Sequence, residues 1–175
     1  MANREALREL QSRLASRLQA AKTAPASVSW LAVEAAGLKY LFPLGQSGEI
    51  FSWSTAMPVP YTQRWYLGVA NLRGGLFGVV DLAGFVSGKA TTRIDSVRSE
   101  ARLVALNALL EVNCALLIDR LAGLRNVDAF VSSNEAPLGS PEYFGMGYTD
   151  AQGAFWQEIN LQSLSQQPQF LSISA

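Results

Sequence analysis

Asp81 and Asp119 are the side chains of this sequence most readily imagined in catalysis. Each follows a β-rich apolar run, and two carboxylates brought together could divide the acid and base roles of a reaction. The competing reading is that each closes a strand and accepts backbone hydrogen bonds in the turn that follows. Histidine is absent, which removes the commonest general base and the commonest metal ligand. Cys114 is the single cysteine and lies in the apolar run 112–118. It reads as a small buried hydrophobe, and alone it permits no disulfide within the chain. Gly68, Gly74, Gly75 and Gly78 could line a phosphate cradle, but no Gly-Lys-Ser/Thr helix start follows them and neither nucleotide-binding spacing is met. Trp53, Tyr61, Trp65, Tyr66 and Phe77 lie close in sequence to Arg64 and Arg73, the makings of a base-stacking platform. Aromatics in a β protein more often serve its core. What remains is recognition chemistry at Arg73, whose planar fork suits a carboxylate either within the domain or on a partner.

The elements that must position these groups are strands. Residues 66–72 are apolar at nearly every position, Arg73-Gly74-Gly75 supplies a permissive turn, and residues 76–80 return. Gly78 reads as a bulge or a point of close backbone approach. A strand apolar on both sides is covered on both faces, as in a small barrel or sandwich. Upstream, strands are expected over 28–35, 38–44 and 49–53, followed by a proline-bearing loop at 58–64. Downstream, residues 82–86 read as a helical turn or strand end and 88–100 as a mobile polar surface connection. Strands follow over 102–106 and 112–118, then a long loop over 132–153 and a last strand at 155–160. A short helix is expected to start at 161–164, with 165–175 a polar, frayed tail.

Ahead of all this, Leu7, Leu10, Leu14 and Leu18 recur at helical steps, so a helix is expected over 3–22, packed on its own domain or half-ordered, docking on a partner, or lying as a basic amphipathic helix on a membrane surface. The chain therefore divides into a helix and linker at 1–25, a β domain at 26–165 and a tail at 166–175. Within the β domain the expectation is two β lobes sharing an apolar seam. One takes roughly 26–88 with 155–165, or with neighbouring strands exchanged, and the other 100–154.

Composition narrows the function. Of the 175 residues 49% are hydrophobic and only 16% charged, which points to apolar surface covered by partners. The 14 basic and 14 acidic residues cancel, against general electrostatic attraction to nucleic acid. Residues 1–22 hold four Arg, one Lys and two Glu, so the remainder carries a negative excess. No apolar window of membrane-spanning length and no signal-peptide core occurs, and a reducing cytoplasmic setting is expected.

The run Gly68-Val69-Ala70-Asn71-Leu72-Arg73-Gly74, followed by Val79-Val80-Asp81-Leu82, resembles the signature hairpin of the CheW-like domain family. These are adaptors of bacterial chemosensory arrays. Residues 40–49, the segment Leu116-Leu117-Ile118-Asp119-Arg120-Leu121 and the segment Glu158-Ile159-Asn160-Leu161 extend the likeness over about 28–165. Ala115, Gly78, Ser47 and Asn160 stand where the family more often has glycine, proline, an aliphatic and a carboxylate. Residues 108–119, with the leading helix, are most similar to the branch of the family serving type IV pilus twitching motility.

The resemblance implies an all-β fold of two SH3-like five-stranded barrels packed together, here with an added N-terminal helix. It implies a scaffold without turnover, with no catalytic, cofactor or metal site. One lobe is expected to bind the regulatory domain of a CheA-type histidine kinase, and the groove between lobes to take the helical cytoplasmic tip of a chemoreceptor. Assembly is array-like beside the membrane, without insertion into it and without nucleic acid. The contact residues carried over are Val69, Asn71, Leu72, Arg73 and Gly74 of the hairpin, together with Glu49, which matches a family glutamate lying near the hairpin arginine. On the residues alone, a small barrel binding single-stranded nucleic acid and a ligand pocket between the lobes stay open.

Overall fold

A computed structural model describes residues 12–13, 28–92 and 95–175; the helix expected over 3–22 lies, but for two residues, outside them. Strands β1 (Ser29–Ala35) and β2 (Leu38–Pro43) form an antiparallel hairpin about Ala36 and Gly37. The chain then crosses to a second sheet. There it lays down β3 (Ser47–Ser52), β4 (Tyr66–Leu72), β5 (Gly75–Asp81), β6 (Arg102–Leu106) and β7 (Cys114–Ile118), in the order β3-β6-β7-β5-β4. Helices α1 (Leu82–Ser87) and α2 (Asp95–Glu100) lie between β5 and β6. The chain returns through β8 (Arg120–Asn126), β9 (Phe130–Asn134), β10 (Phe144–Asp150) and β11 (Phe155–Ile159), completing a sheet ordered β8-β1-β2-β11-β10-β9. Helices α3 (Leu161–Gln166) and α4 (Pro168–Leu171) close the chain.

The periodicity of the strands explains the architecture. Along β1, Leu31, Val33 and Ala35 enter a central core, while Trp30 and Ala32 enter a separate one with Leu41 and Trp156. Along β7, Cys114, Leu116 and Ile118 join the central core, while Ala115 and Leu117 join a third with Leu72, Val79 and Leu103. Side chains alternate across a strand, so each sheet buries one face against the seam and the other inside its own curl. Curling of the five-stranded sheet is direct: β3 and β5 are separated in it by β6 and β7, yet the rings of Phe51 and Phe77 stand 6.0 Å apart. The six-stranded sheet curls likewise, with Trp30 of β1 against Phe130 of β9 at 5.8 Å.

Several expectations need correcting. The sheets hold five and six strands rather than five each, and they do not divide at the 88–100 connection, since β8 to β11 rejoin β1 and β2. The stretch 132–153, expected as a loop, contains β10 and most of β9. Its glycines mislead: a Cβ on Gly145 or Gly147 would collide with the side chains of Glu158 or Phe155 on β11, so close packing demands glycine within a strand. The connection at 88–100 is partly helical, and Thr91 in it donates its hydroxyl to the buried Asp81. The bulge in the hairpin falls at Gly68 rather than Gly78. The register shifts between Tyr66 and Gly68, and Gly68 takes φ +123° hard against the Met57 carbonyl. The tail is ordered. Phe170 is buried, stacked on Trp65 at 6.2 Å and edge-on to Phe85 at 5.3 Å.

Two outcomes follow. Phe170→Ala should lower unfolding free energy by about 3 to 5 kcal/mol in urea denaturation, because truncating a buried ring leaves a cavity; no change would mean that the terminal helix packs elsewhere. Glu158 is half-buried and accepts the Trp30 indole N–H at 2.5 Å, and burial pushes its carboxyl above the usual range. A folded-state pKa raised above the unfolded value gives stability that is full below the unfolded pKa and is lost as pH rises through the folded one. Glu158→Gln should therefore flatten this part of the stability–pH profile and match or exceed the parent at neutral pH, as read by melting temperature across pH 3 to 8 (roughly the carboxyl-to-neutral range).

Candidate functional site

Strands β4 and β5 are joined by the two residues Arg73 and Gly74, at φ +50° and +84°. Two successive positive φ values give the turn whose twist matches that of paired strands. Asn71 accepts the Gly74 N–H on its side-chain oxygen at 2.9 Å, tying the turn off. Leu72, 5% exposed, anchors the turn in the core of the five-stranded sheet. It supports the turn from below and, buried there, is not itself a contact surface, against what the resemblance implies. Val69 is half-buried, and its backbone pairs with that of Met57 in both directions, at 2.7 and 2.9 Å, so the loop before the hairpin covers this part of the edge strand β4.

Curling brings β3, the opposite edge of the sheet, round to the turn. The guanidinium of Arg73 pairs there with the carboxylate of Glu49. It also lies 5.7 Å from the Phe51 ring centroid. The Arg73 side chain is 75% and the Glu49 side chain 45% exposed. The result is an arginine held in orientation by a carboxylate and an aromatic face, with donors still turned to solvent. Phe51 was not singled out in the sequence. Its signal was there, because it lies two residues from Glu49 on one strand and therefore on the same face. Leu76, exposed and opposite Asn71 in register, gives the site an apolar flank.

The other candidates do not come together. Asp81 is buried with Thr91 on it, whereas Asp119 accepts the Ala36 N–H at 2.6 Å, so the two carboxylates serve different connections. The Cys114 thiol is pushed up to about 12 by burial, far from the reactive thiolate range. Among the described residues, no three His, Cys, Asp or Glu side chains are grouped to hold a metal ion. The hairpin glycines are spread along it, Gly78 packing against the Tyr66 ring and Gly68 against Met57. The aromatics are divided: Trp65 and Tyr66 pack in or against the central core, Trp53 and Phe77 against that of the five-stranded sheet, and Tyr61 faces solvent. They form no common stacking plane.

The sequence and the fold have counterparts among known proteins. A family model described as the CheW-like domain matches residues 29–169. The chain is 29% identical to Protein PilI of Pseudomonas aeruginosa over 125 residues, which is 71% of this chain and 67% of that one. It also resembles the crystal structure of the scaffolding protein TtCheW from Thermoanaerobacter tengcongensis. The TM-score is 0.64 at 15% identity, over 79% of this chain and 88% of that one, a likeness of fold.

Because the Glu49–Arg73 pair is solvated, Glu49→Ala and Arg73→Ala should each change stability by no more than about 1 kcal/mol. Leu72→Ala should cost about 2 to 5 kcal/mol. Urea denaturation of the three variants separates a displayed pair from a structural one, and a large loss in either charge variant would make the pair structural.

Proposed function

The chain belongs to the CheW-like domain family, and on that premise we propose that it is a non-catalytic adaptor coupling a chemoreceptor to a CheA-type histidine kinase in the control of type IV pilus twitching. The observation that carries this reading is the Arg73 turn: a guanidinium fixed by Glu49 and Phe51 at the rim of a rigid sheet, presented to solvent rather than enclosed around a substrate. A displayed arginine of this kind recognises a protein surface. Glu49, Asn71, Arg73 and Gly74 are its exposed residues, with Val69 and Leu72 acting through the strand that holds the turn. We read the curled five-stranded sheet as an SH3-like barrel and its partner sheet as the second lobe.

We assign the receptor tip to a cavity where they meet. An apolar cavity of about 400 Å³ opens where Val86 of α1 meets Leu38 and Tyr40 of β2, Phe144 of β10 and Phe155 of β11. Apolar side chains of a receptor helix fit such a lining. The interfaces expected are modest, about 1,200 Å² or less, individually weak and strengthened by multivalent packing in an array. Among the described residues no helix is long and apolar enough to cross a membrane.

The test is co-purification of the tagged chain with receptor and kinase. Arg73→Glu should lose one or both partners while its circular dichroism and melting temperature stay near those of the parent. Retention of both at parental yield removes Arg73 from the interface. Should charge reversal disturb folding, Arg73→Gln supplies the same reading.

A further inference from the structure

The segment between β3 and β4 holds a feature that the hairpin does not account for. Met57 and Tyr61, 71% and 91% exposed, rise from it with Val59 between them. Tyr61 adopts φ +58°, a conformation uncommon for a residue with a bulky side chain. This conformation is held from both ends. Met57 is paired with Val69 of β4. The Tyr61 carbonyl accepts the Ala175 N–H at 2.9 Å, Gln63 bonds Ile173 and Ser174, and the Thr62 hydroxyl donates to the Val59 carbonyl at 2.8 Å. An exposed apolar ridge fixed this firmly loses little conformational freedom on binding.

Beside the ridge, Arg64 and Lys89 line one cavity of about 290 Å³ with Thr62, Gln63 and Ala175. Among the described residues neither cation makes an ion pair, whereas Lys39, Arg73 and Arg120 all have carboxylate partners. Arg64 and Arg73 flank opposite ends of β4, about 20 Å apart at ~3.3 Å per residue. At that separation, about two Debye lengths at physiological salt, the two cationic sites act on a bound carboxylate independently.

We propose that the 57–61 ridge together with Arg64 and Lys89 forms a docking surface apart from the Arg73 turn and the Val86 cavity, which takes an acidic, apolar segment of a partner protein. The exposed apolar side chains call for aliphatic or aromatic partners, and the two unpaired cations call for carboxylates. Two cations in a cavity that Thr62 joins to the ridge suit a peptide better than a nucleic acid strand, which needs a charged track and a stack of rings.

The full chain, isotope-labelled, should be titrated with a synthetic peptide of leucine and glutamate at helical spacing and, separately, with its lysine-for-glutamate counterpart. Saturable NMR shifts are expected at Tyr61, Arg64 and Lys89 with the acidic peptide only, weakening as salt is raised. The double change Arg64→Glu with Lys89→Glu should weaken binding by about tenfold or more, while Arg73→Glu leaves it unchanged. Should the double reversal perturb the fold, Arg64→Gln with Lys89→Gln serves in its place. Equal binding of the lysine peptide, shifts confined to the Arg73 turn, absence of shifts, or stronger binding of oligothymidylate at the same residues would each overturn the proposal.

Discussion

Strands apolar on both faces govern this molecule. β1 and β7 each send alternate residues into two different cores, so neither of these strands has an open face to give to a ligand. Each sheet must curl to cover its inner face and pack on the other sheet to cover its outer one. Hydrophobic burial at about 25 cal/mol per Å² favours this arrangement over any that leaves such a strand half-wet. The functional consequence is geometric. Chemistry can appear only at sheet edges, at turns and in the seam, where the strands end.

That constraint also explains which parts of the structure were legible in the sequence. The hairpin at 66–81 could be read because its apolar runs and its Arg73-Gly74 turn are local signals, and the bracketing strands near 30, 40, 104 and 116 are equally continuous. The Glu49–Arg73 pairing came through resemblance, not from spacing, since it depends on β3 curling round to a turn 24 residues on. β9 and β10 were missed because Ser132, Ser133, Gly145 and Gly147 look like loop residues. Only the side chains of β11 explain the glycines. The 165–175 segment reads as polar and frayed until Phe170 is seen against Trp65, more than 100 residues away in sequence. Which strand joins which sheet was likewise hidden, because two parallel pairings, β5 with β7 and β11 with β2, connect distant segments.

The ordered C-terminal segment links the two sheets. α4 follows the six-stranded sheet in sequence, yet Phe170 packs on Trp65 beside the start of β4, and Thr62 bridges to Ser174. The strap therefore fixes the loop that feeds the hairpin, and with it the spacing between the Arg64 and Arg73 ends of β4. If both ends carry contacts, as proposed, the strand between them is a stiff spacer that holds their separation.

The Glu49–Arg73 pair completes that logic. As an exposed ion pair it contributes about 0 to 1 kcal/mol to folding, too little to account for two charges and an aromatic converging on one turn. Its effect lies in entropy. A free arginine carries about 2 kcal/mol of rotamer freedom, which a partner binding it must remove. Glu49 and Phe51 remove part of that freedom in advance, and the Asn71 tie and the Leu72 anchor remove the freedom of the turn beneath it. A weak interface can then rest on a single side chain, because the ordering it requires is already built into the sheet.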